Sequence, residues 1–271
     1  MKRRLRMNEK LYTLCGAMAL ALAACSDDGG NIGGTSTEPN TVYAEQYWLW
    51  NPLAGDMSVN KARYASILPE NVEADGHWFW ETRKTDENDG GRSSITWPVP
   101  LGSGEDSLST VIESCHGICG VANLDLGTMT YHPYVSVGFV IARDSAGNPT
   151  PVDVSDWGGV CITYTSEAAP SLVLDLGDSL SEIFDDGAGF PAVALSKAAV
   201  YEKSRCYSWS EFKLPSWVKN APEYWTSDVG EKGAKQLVGL MFKVQNVPGS
   251  YNFNIKYIGM KAEEEENTDV E

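Results

Sequence analysis

Six short runs of β-branched and aromatic residues constrain the fold of this chain more than any other feature. Val, Ile, Tyr and Phe are enriched in strands, and runs of this length are typical of strands rather than of helices. Clusters of Gly, Pro, Asn and Asp separate the runs, as turns do. The runs cover residues 131–142, 160–165, 172–176, 203–212, 237–244 and 253–258, whereas a helical pattern is confined to short stretches such as 231–235. The sequence therefore predicts an all-β protein built as an antiparallel two-sheet β-sandwich.

The N-terminus has the layout of a secretory signal peptide. A basic head over residues 2–10 precedes an apolar run over residues 11–21, and small residues stand directly before Cys25. The apolar run is too short to span ~30 Å of hydrocarbon, which argues against a transmembrane anchor. Small residues before a cysteine resemble the lipobox of bacterial lipoproteins. That resemblance implies a signal peptide over residues 1–24 and a lipidated Cys25, with acyl chains as the only attachment to a membrane.

Polar segments flank the β pattern on both sides. Residues 25–42 are rich in Gly, Ser, Thr and Asn, which predicts a flexible tether. The acidic pair at 27–28 resembles signals that send some lipoproteins to the outer face, so we expect an outer-membrane protein that faces the cell surface. Residues 261–271 contain four consecutive glutamates and predict a disordered acidic tail. Residues 43–260 are left as one β domain.

The charge balance excludes two classes of partner. The chain has 37 acidic against 21 basic residues, a formal net charge of −16. Such a surface repels nucleic-acid phosphates and anionic lipid headgroups. We therefore expect neither nucleic-acid binding nor a basic membrane-binding patch.

Four cysteines remain beyond the signal peptide and the lipidation site: Cys115, Cys119, Cys161 and Cys206. An even number in an exported chain predicts two disulfides, with three possible connectivities. We favour Cys115 with Cys119 across a glycine-containing loop, and Cys161 with Cys206 between two strands. The alternative, a metal site at Cys115–Cys119, lacks a second ligand pair at zinc-like spacing.

Several motifs follow one another in the order of a known family. They are Trp48 and Trp50, Asp-Gly-Gly-Arg-Ser-Ser at 89–94, Val-Ser-Asp-Trp-Gly-Gly-Val at 154–160, Tyr-Ser-Trp-Ser-Glu-Phe at 207–212 and a closing strand at 253–259. Their order resembles that of family 11 carbohydrate-binding modules over residues 43–260. The resemblance implies a galactose-binding-like jelly roll, as in lipoproteins of fibre-degrading bacteria, and non-catalytic binding of plant polysaccharide of the β-glucan class. The Cys115–Cys119 loop and the 213–231 insertion depart from the family pattern.

The first candidate sugar-binding face lies on the run 131–142. Aromatic rings stack on the apolar faces of pyranoses, and polar side chains bind the hydroxyls. Strand alternation places His132, Tyr134 and Ser136 on one face and the valines on the other. An ordinary solvated sheet has the same pattern, so both interpretations stay open here.

Four further residues are sugar-binding candidates. Tyr164 and Asp175 join the same face if their strands neighbour it. Trp78 and Trp80 share one side of their segment if that segment is extended.

Calcium is the one cofactor that the sequence suggests. Asp86, Asn88 and Asp89 cluster oxygen ligands at a turn, but Gly90 and Trp97 stand where an EF-hand needs ligands. A structural calcium site is therefore an expectation, with Asp86, Asn88 and Asp89 as candidate ligands.

No catalytic constellation stands out in the sequence. Glycoside hydrolysis needs two carboxylates at a defined separation, and no spacing singles out a pair. The chain has three histidines and no Gly-x-Ser-x-Gly nucleophile elbow. We therefore expect a binding protein rather than an enzyme. The alternatives are a structural or assembly lipoprotein with a protein partner and no sugar site, and a hydrolase with unrecognised acids.

Overall fold

The computed structural model describes residues 47–80, 86–184, 189–219 and 221–261, without the side chains of Asn88, Glu105 and Glu182. The signal peptide, the lipidation site Cys25, the tether and the tail beyond Lys261 lie outside the described residues. No helix within the described ranges is long and apolar enough to cross a membrane.

Thirteen strands and three short α-helices form the described part of the chain. The strands are β1 (Trp48–Trp50), β2 (Val72–Ala74), β3 (Trp78–Phe79), β4 (Ser94–Thr96), β5 (Ile118–Leu124), β6 (Tyr134–Val140), β7 (Ala142–Asp144), β8 (Gly159–Ser166), β9 (Ser171–Asp175), β10 (Ala192–Ala194), β11 (Ala198–Ser208), β12 (Gly239–Gln245) and β13 (Gly249–Met260). The helices are α1 (Ser109–Cys115), α2 (Asp178–Ser181) and α3 (Val229–Ala234).

The fold is built from two antiparallel sheets. One has the order β11-β8-β13-β5-β4, with β1 added to β13, and the other has the order β10-β9-β12-β6-β3. Strands β5 and β6, β8 and β9, β10 and β11, and β12 and β13 follow each other in sequence but belong to opposite sheets. Among the eight strands of the sandwich only β9 and β10 follow each other within one sheet, as a pair. Repeated crossing between two sheets over eight strands is the connectivity of a jelly roll. The predicted all-β sandwich is confirmed, and β2 and β7 form a separate small ribbon.

The core lies between the two sheets and is filled by alternate residues of the central strands. On β6 the side chains of Val135, Val137 and Phe139 are buried. From the opposite sheet Tyr164 packs against Phe242, with ring centroids 5.7 Å apart. Full burial of side chains of this size stabilises a fold by about 1.5–3 kcal/mol each.

The ends of two predicted strands differ from the structure for local reasons. Strand β6 begins at Tyr134 instead of residue 131, directly after Pro133, which has no N–H to donate to a sheet. Strand β11 ends at Ser208 instead of 212, because the backbone N–H of Ser208 donates to Glu211 Oε2 at 2.8 Å in a capping box. That capping box begins a short 3-10 turn over Trp209–Glu211.

Both favoured disulfides are present. Cys115 at the end of α1 is bonded to Cys119 in β5. Cys161 and Cys206 lie directly opposite each other on the paired strands β8 and β11 and are also bonded. The first bridge closes a tight loop, whereas the second joins the edge strand β11 to its neighbour β8.

Candidate functional site

The candidate site is the side of the five-stranded sheet that faces away from the other sheet, here called the outer face. Because alternate residues of a strand point to opposite sides, the register assigns side chains to it. Lys243 pairs with Ser136 on β6 and with Ser171 on β9, and these three residues form the polar row. Tyr134 and Gln245 pair with each other one step further along the same face.

An apolar row runs beside the polar row. It consists of Phe79, Gly138, Met241 and Val173, which are consecutive partners across β3, β6, β12 and β9. A Cβ atom at position 138 would lie 2.7 Å from Phe79 Cζ and 3.0 Å from Met241 Cγ. Glycine at 138 therefore lets the phenyl ring and the thioether chain close over the sheet.

Tyr134 lies on this face at the start of β6. The Lys243 ammonium lies 3.9 Å from the centroid of the Tyr134 ring, a cation–π contact. The Tyr134 hydroxyl donates to Asp89 Oδ2 at 3.0 Å. Burial, followed by the negative charge of Asp89, raises the pKa of Tyr134 well above its usual value, so the hydroxyl remains a donor.

Lys243 is a partly buried cation on the outer face. Desolvation lowers the pKa of its ammonium to about 8, although the charges of Asp89 and Asp86 act in the opposite direction. No ion pair links Lys243 to any residue in the part of the chain that the structure describes.

The loop before β6 forms one rim of the outer face. Tyr131 is 48 % exposed there. Desolvation and a hydrogen bond to Asp89 raise the pKa of the Tyr131 hydroxyl to about 12. His132 is exposed in the same loop, and its carbonyl oxygen accepts a hydrogen bond from Gln245 Nε2 at 2.8 Å. This hydrogen bond holds the loop against the end of β12.

Tyr164 and Trp78 do not lie on the outer face, and their prediction as accessible sugar-binding residues is wrong. Tyr164 has no exposed area, and its hydroxyl donates to the carbonyl of Ser196 at 2.7 Å. Trp78 is in register with Phe139 on the core side of the sheet. Its ring packs against Trp50, with centroids 4.8 Å apart.

Trp80 is partly buried rather than presented on an open loop. Its ring packs edge-to-face on Trp97, with centroids 5.8 Å apart. Trp78 and Trp80 therefore do not form an exposed aromatic pair, because the first of them belongs to the core.

Asp175 lies on the same face as Tyr134, with β12 between their strands. It is in register with Gly239, which in turn pairs with Val140 on β6. The carboxylate is buried and accepts a hydrogen bond from the backbone N–H of Gly177 at 3.0 Å. Asp175 thus supports the turn after β9 at the edge of the outer face.

Asp86, one of the candidate calcium ligands, is engaged by protein donors. Its buried carboxylate accepts hydrogen bonds from the N–H and hydroxyl of Ser93 at 3.1 and 2.6 Å, and from the N–H of Tyr134 at 2.9 Å. Asp89 accepts from Tyr134, and the side chain of Asn88 lies outside the described part. No group of three or more His, Cys, Asp or Glu residues within the described ranges is arranged to hold a metal ion. A structural calcium ion at this turn stays a prediction.

Sequence reasoning missed Lys243, Gln245 and Tyr131. A signal for the first two was present, because they alternate along β12 with the buried Phe242 and Val244. That alternation marks an outward face but does not show that this face lies beside Tyr134.

No protein-family model matches this chain, and no curated protein matches it in sequence. Among solved structures it is similar to a family 11 carbohydrate-binding module of a cellulosomal cellulase from Clostridium thermocellum. The two sequences are 12% identical, the match covers 70% of this chain and 91% of that chain, and the TM-score is 0.38. A second is a family 11 module from Clostridium thermocellum in complex with a β-1,3-1,4-mixed-linked tetrasaccharide, with 11% identity, 73% and 92% covered, and a TM-score of 0.35. A third is an exo-β-agarase, with 12% identity, 82% and 26% covered, and a TM-score of 0.34. The jelly-roll architecture of this chain itself is defined by its own strand pairing.

Proposed function

We propose that this protein is a non-catalytic carbohydrate-binding protein that holds a plant polysaccharide of the β-glucan class on its outer face. The observation that carries the proposal is the cluster of Tyr134, Lys243 and Asp89, beside the polar and apolar rows of a broad sheet. Aromatic rings, fixed hydrogen-bonding groups and an apolar floor are what recognition of sugar rings requires. The β-glucan class follows from the motif order that resembles family 11 modules.

The state of the carboxylates supports binding without hydrolysis. A glycoside hydrolase needs one carboxyl group as a general acid and a second as a nucleophile or base. Asp86 and Asp175 are buried and accept hydrogen bonds from backbone N–H groups, and Asp89 accepts from Tyr134. Asp86 and Asp175 are therefore not presented to a substrate, and the exposed Asp89 is engaged by the Tyr134 hydroxyl.

The location of the protein belongs to the same proposal. Cys25 carries the lipid, residues 25–42 are the tether, and the β domain faces outward from the bacterial outer membrane. A tethered binding face of this kind keeps polysaccharide close to the cell surface. The support is the basic and apolar N-terminus with small residues before Cys25.

A role in assembly with a protein partner is the second candidate. The observation that favours it is the pair Val200 and Tyr201, which are 78% and 83% exposed on the edge strand β11. They lie where the pairing of β11 with β8 is interrupted between Ala198 and Lys203. Exposed apolar side chains on an edge strand are typical of protein contacts.

Calorimetric titration of the full chain with a soluble mixed-linkage β-glucan tests both candidates. Tyr131→Ala removes an exposed ring beside the outer face, and Tyr201→Ala is the matched control on the other sheet. A sugar–aromatic contact of about 1 kcal/mol corresponds to roughly fivefold weaker binding for Tyr131→Ala, with Tyr201→Ala unchanged. If the unmodified protein binds no plant glycan, the carbohydrate proposal fails and the assembly role takes its place.

A further inference from the structure

The charge of Lys243 does not favour the stability of the fold at its position in the sheet. The residue lies on β12, between β6 and β9 in the middle of the sheet. Burial of an ammonium is unfavourable unless a carboxylate or several acceptors compensate it. Among the residues that the structure describes, the Tyr134 ring is the one direct partner of the Lys243 ammonium. An apolar side chain at this position would avoid the cost, which indicates that the charge serves binding.

The negative charges around Lys243 favour an uncharged hydrogen-bond acceptor over an anionic one. Asp86 and Asp89 are close enough for their charges to act on the ammonium. The chain as a whole has a net charge of −16. An anionic ligand would be repelled by these charges, whereas the hydroxyls of an uncharged sugar accept hydrogen bonds without that penalty. Lysine supplies three donors for this purpose.

The polar row and the apolar row indicate how a bound glycan chain is oriented on the outer face. The polar row Ser136, Lys243 and Ser171 and the apolar row beside it both run perpendicular to the strands. Neighbouring strands lie about 4.8 Å apart, so the polar row spans about 10 Å. Lys243, Ser171 and Phe79 are partly exposed in these rows, whereas Ser136, Val173 and Met241 are almost fully buried. A β-linked glucan has hydroxyl edges and apolar ring faces, and the accessible Lys243 and Ser171 together with the Phe79 ring match these two kinds of surface.

We propose that the glycan chain lies across β6, β12 and β9 along the polar row, with the Lys243 ammonium donating hydrogen bonds to its hydroxyls. This inference rests on the proposed carbohydrate function and assigns the polar recognition of that function to Lys243. The apolar ring faces lie against the partly exposed Phe79, which Met241 supports from the buried side. Tyr134 keeps the ammonium in place through its ring.

Substitutions at Lys243 test the donor role, again with a soluble mixed-linkage β-glucan and calorimetry. Lys243→Met keeps the length and the apolar stem but removes the charge and the donors, and we expect at least tenfold weaker binding. Lys243→Arg keeps a charged donor, and we expect it to retain more affinity than Lys243→Met. Thermal melting of both variants verifies that each is folded at the temperature of the titration.

A bulky side chain at one end of the polar row tests the direction. Ser171→Trp blocks a chain that crosses the strands, and we expect at least tenfold weaker binding. Ser204→Trp, on β11 of the other sheet, is the matched control and should bind normally. A glycan that runs along β12 instead would bind Ser171→Trp as well as the unmodified protein, and this result would overturn the proposed direction.

The outcomes separate this inference from the function on which it rests. If the unmodified protein binds no glycan, the proposed function itself fails. If the unmodified protein binds and Lys243→Met binds equally well, the role of Lys243 is overturned while the proposed function stands.

Discussion

The ammonium of Lys243 lies 3.9 Å from the centroid of the Tyr134 ring, although 109 positions separate the two residues in sequence. The register of β6 with β12 places them diagonally on one face. Asp86 and Asp89 complete the arrangement, since Asp86 accepts from the N–H of Tyr134 and Asp89 from its hydroxyl. The turn over Asp86–Asp89 thus holds Tyr134 from one side and Lys243 covers its ring from the other.

The buried charge of Lys243 makes the stability of the protein depend on pH. Desolvation lowers the pKa of Lys243 to about 8 in the folded chain, against an ordinary value of about 10.4 in an unfolded chain. Between these values the unfolded chain binds more protons, so this group makes stability rise with pH. Below pH ~8 the ammonium is charged in both states and the cost of its burial is fully present. We therefore expect Lys243→Met to unfold at higher urea concentration than the unmodified protein at pH 7.

Comparison of the two proteins across that range isolates the contribution of Lys243. The stability advantage of Lys243→Met should shrink as pH rises from 8 to 10, because the unmodified protein then no longer buries a charge. Tyr131, with a pKa of about 12, does not titrate in this range. A difference between the two proteins that is independent of pH would contradict the lowered pKa of Lys243.

The two disulfides are expected to contribute unequally to stability. The Cys161–Cys206 bridge spans 45 positions, whereas the Cys115–Cys119 bridge spans 4. In the chain-entropy account, closing the longer loop is worth about 4 kcal/mol and closing the shorter one about 2 kcal/mol. Urea unfolding of the two double cysteine-to-alanine variants measures these contributions. Equal losses of unfolding free energy would show that loop entropy is not the dominant effect.

Lipidation of Cys25 is expected to be the only link between the protein and the membrane. Cys25→Ser removes the acceptor sulfur, so the variant should be released from the membrane fraction and should not incorporate a fatty-acid analogue. Ser26→Ala, next in the chain, is the matched control and should stay membrane-bound and labelled. Recovery of Cys25→Ser with the membranes would place the anchor elsewhere in the chain.

Local sequence patterns located most of the sandwich. The six predicted runs overlap β6, β8, β9, β11, β12 and β13, which are six of the eight jelly-roll strands. The other two, β5 and β10, were not predicted. Gly120, Ala122 and Asn123 lower the strand propensity of β5, and β10 has only three residues. Their pairing with neighbouring strands, rather than local propensity, makes these segments strands.

The candidate site was harder to predict because alternation defines two faces of a strand but not which of them is covered. In β8 the less buried Thr163 and Thr165 alternate with the buried Ile162 and Tyr164, so the pattern put Tyr164 on the face of Ile162 but did not show that this face lies against the other sheet. The two-residue strand β3 is too short for a pattern, and Trp78 turned out to be a core residue. The alternation along β12 marks an outward face in the sequence. The sequence does not show that β6, and with it Tyr134, lies beside that face.

The sequence by itself determined the β class, the positions of most long strands and the favoured cysteine pairs. These properties follow from local composition and from alternation with a period of two, which are both readable along the chain. The tertiary structure alone decided which strands became neighbours, and therefore that Lys243 lies over Tyr134 and that Tyr164 is buried. Strand pairing is set by the packing of side chains distant in sequence. A one-residue change of register would exchange the buried and the outward-facing side chains of a strand.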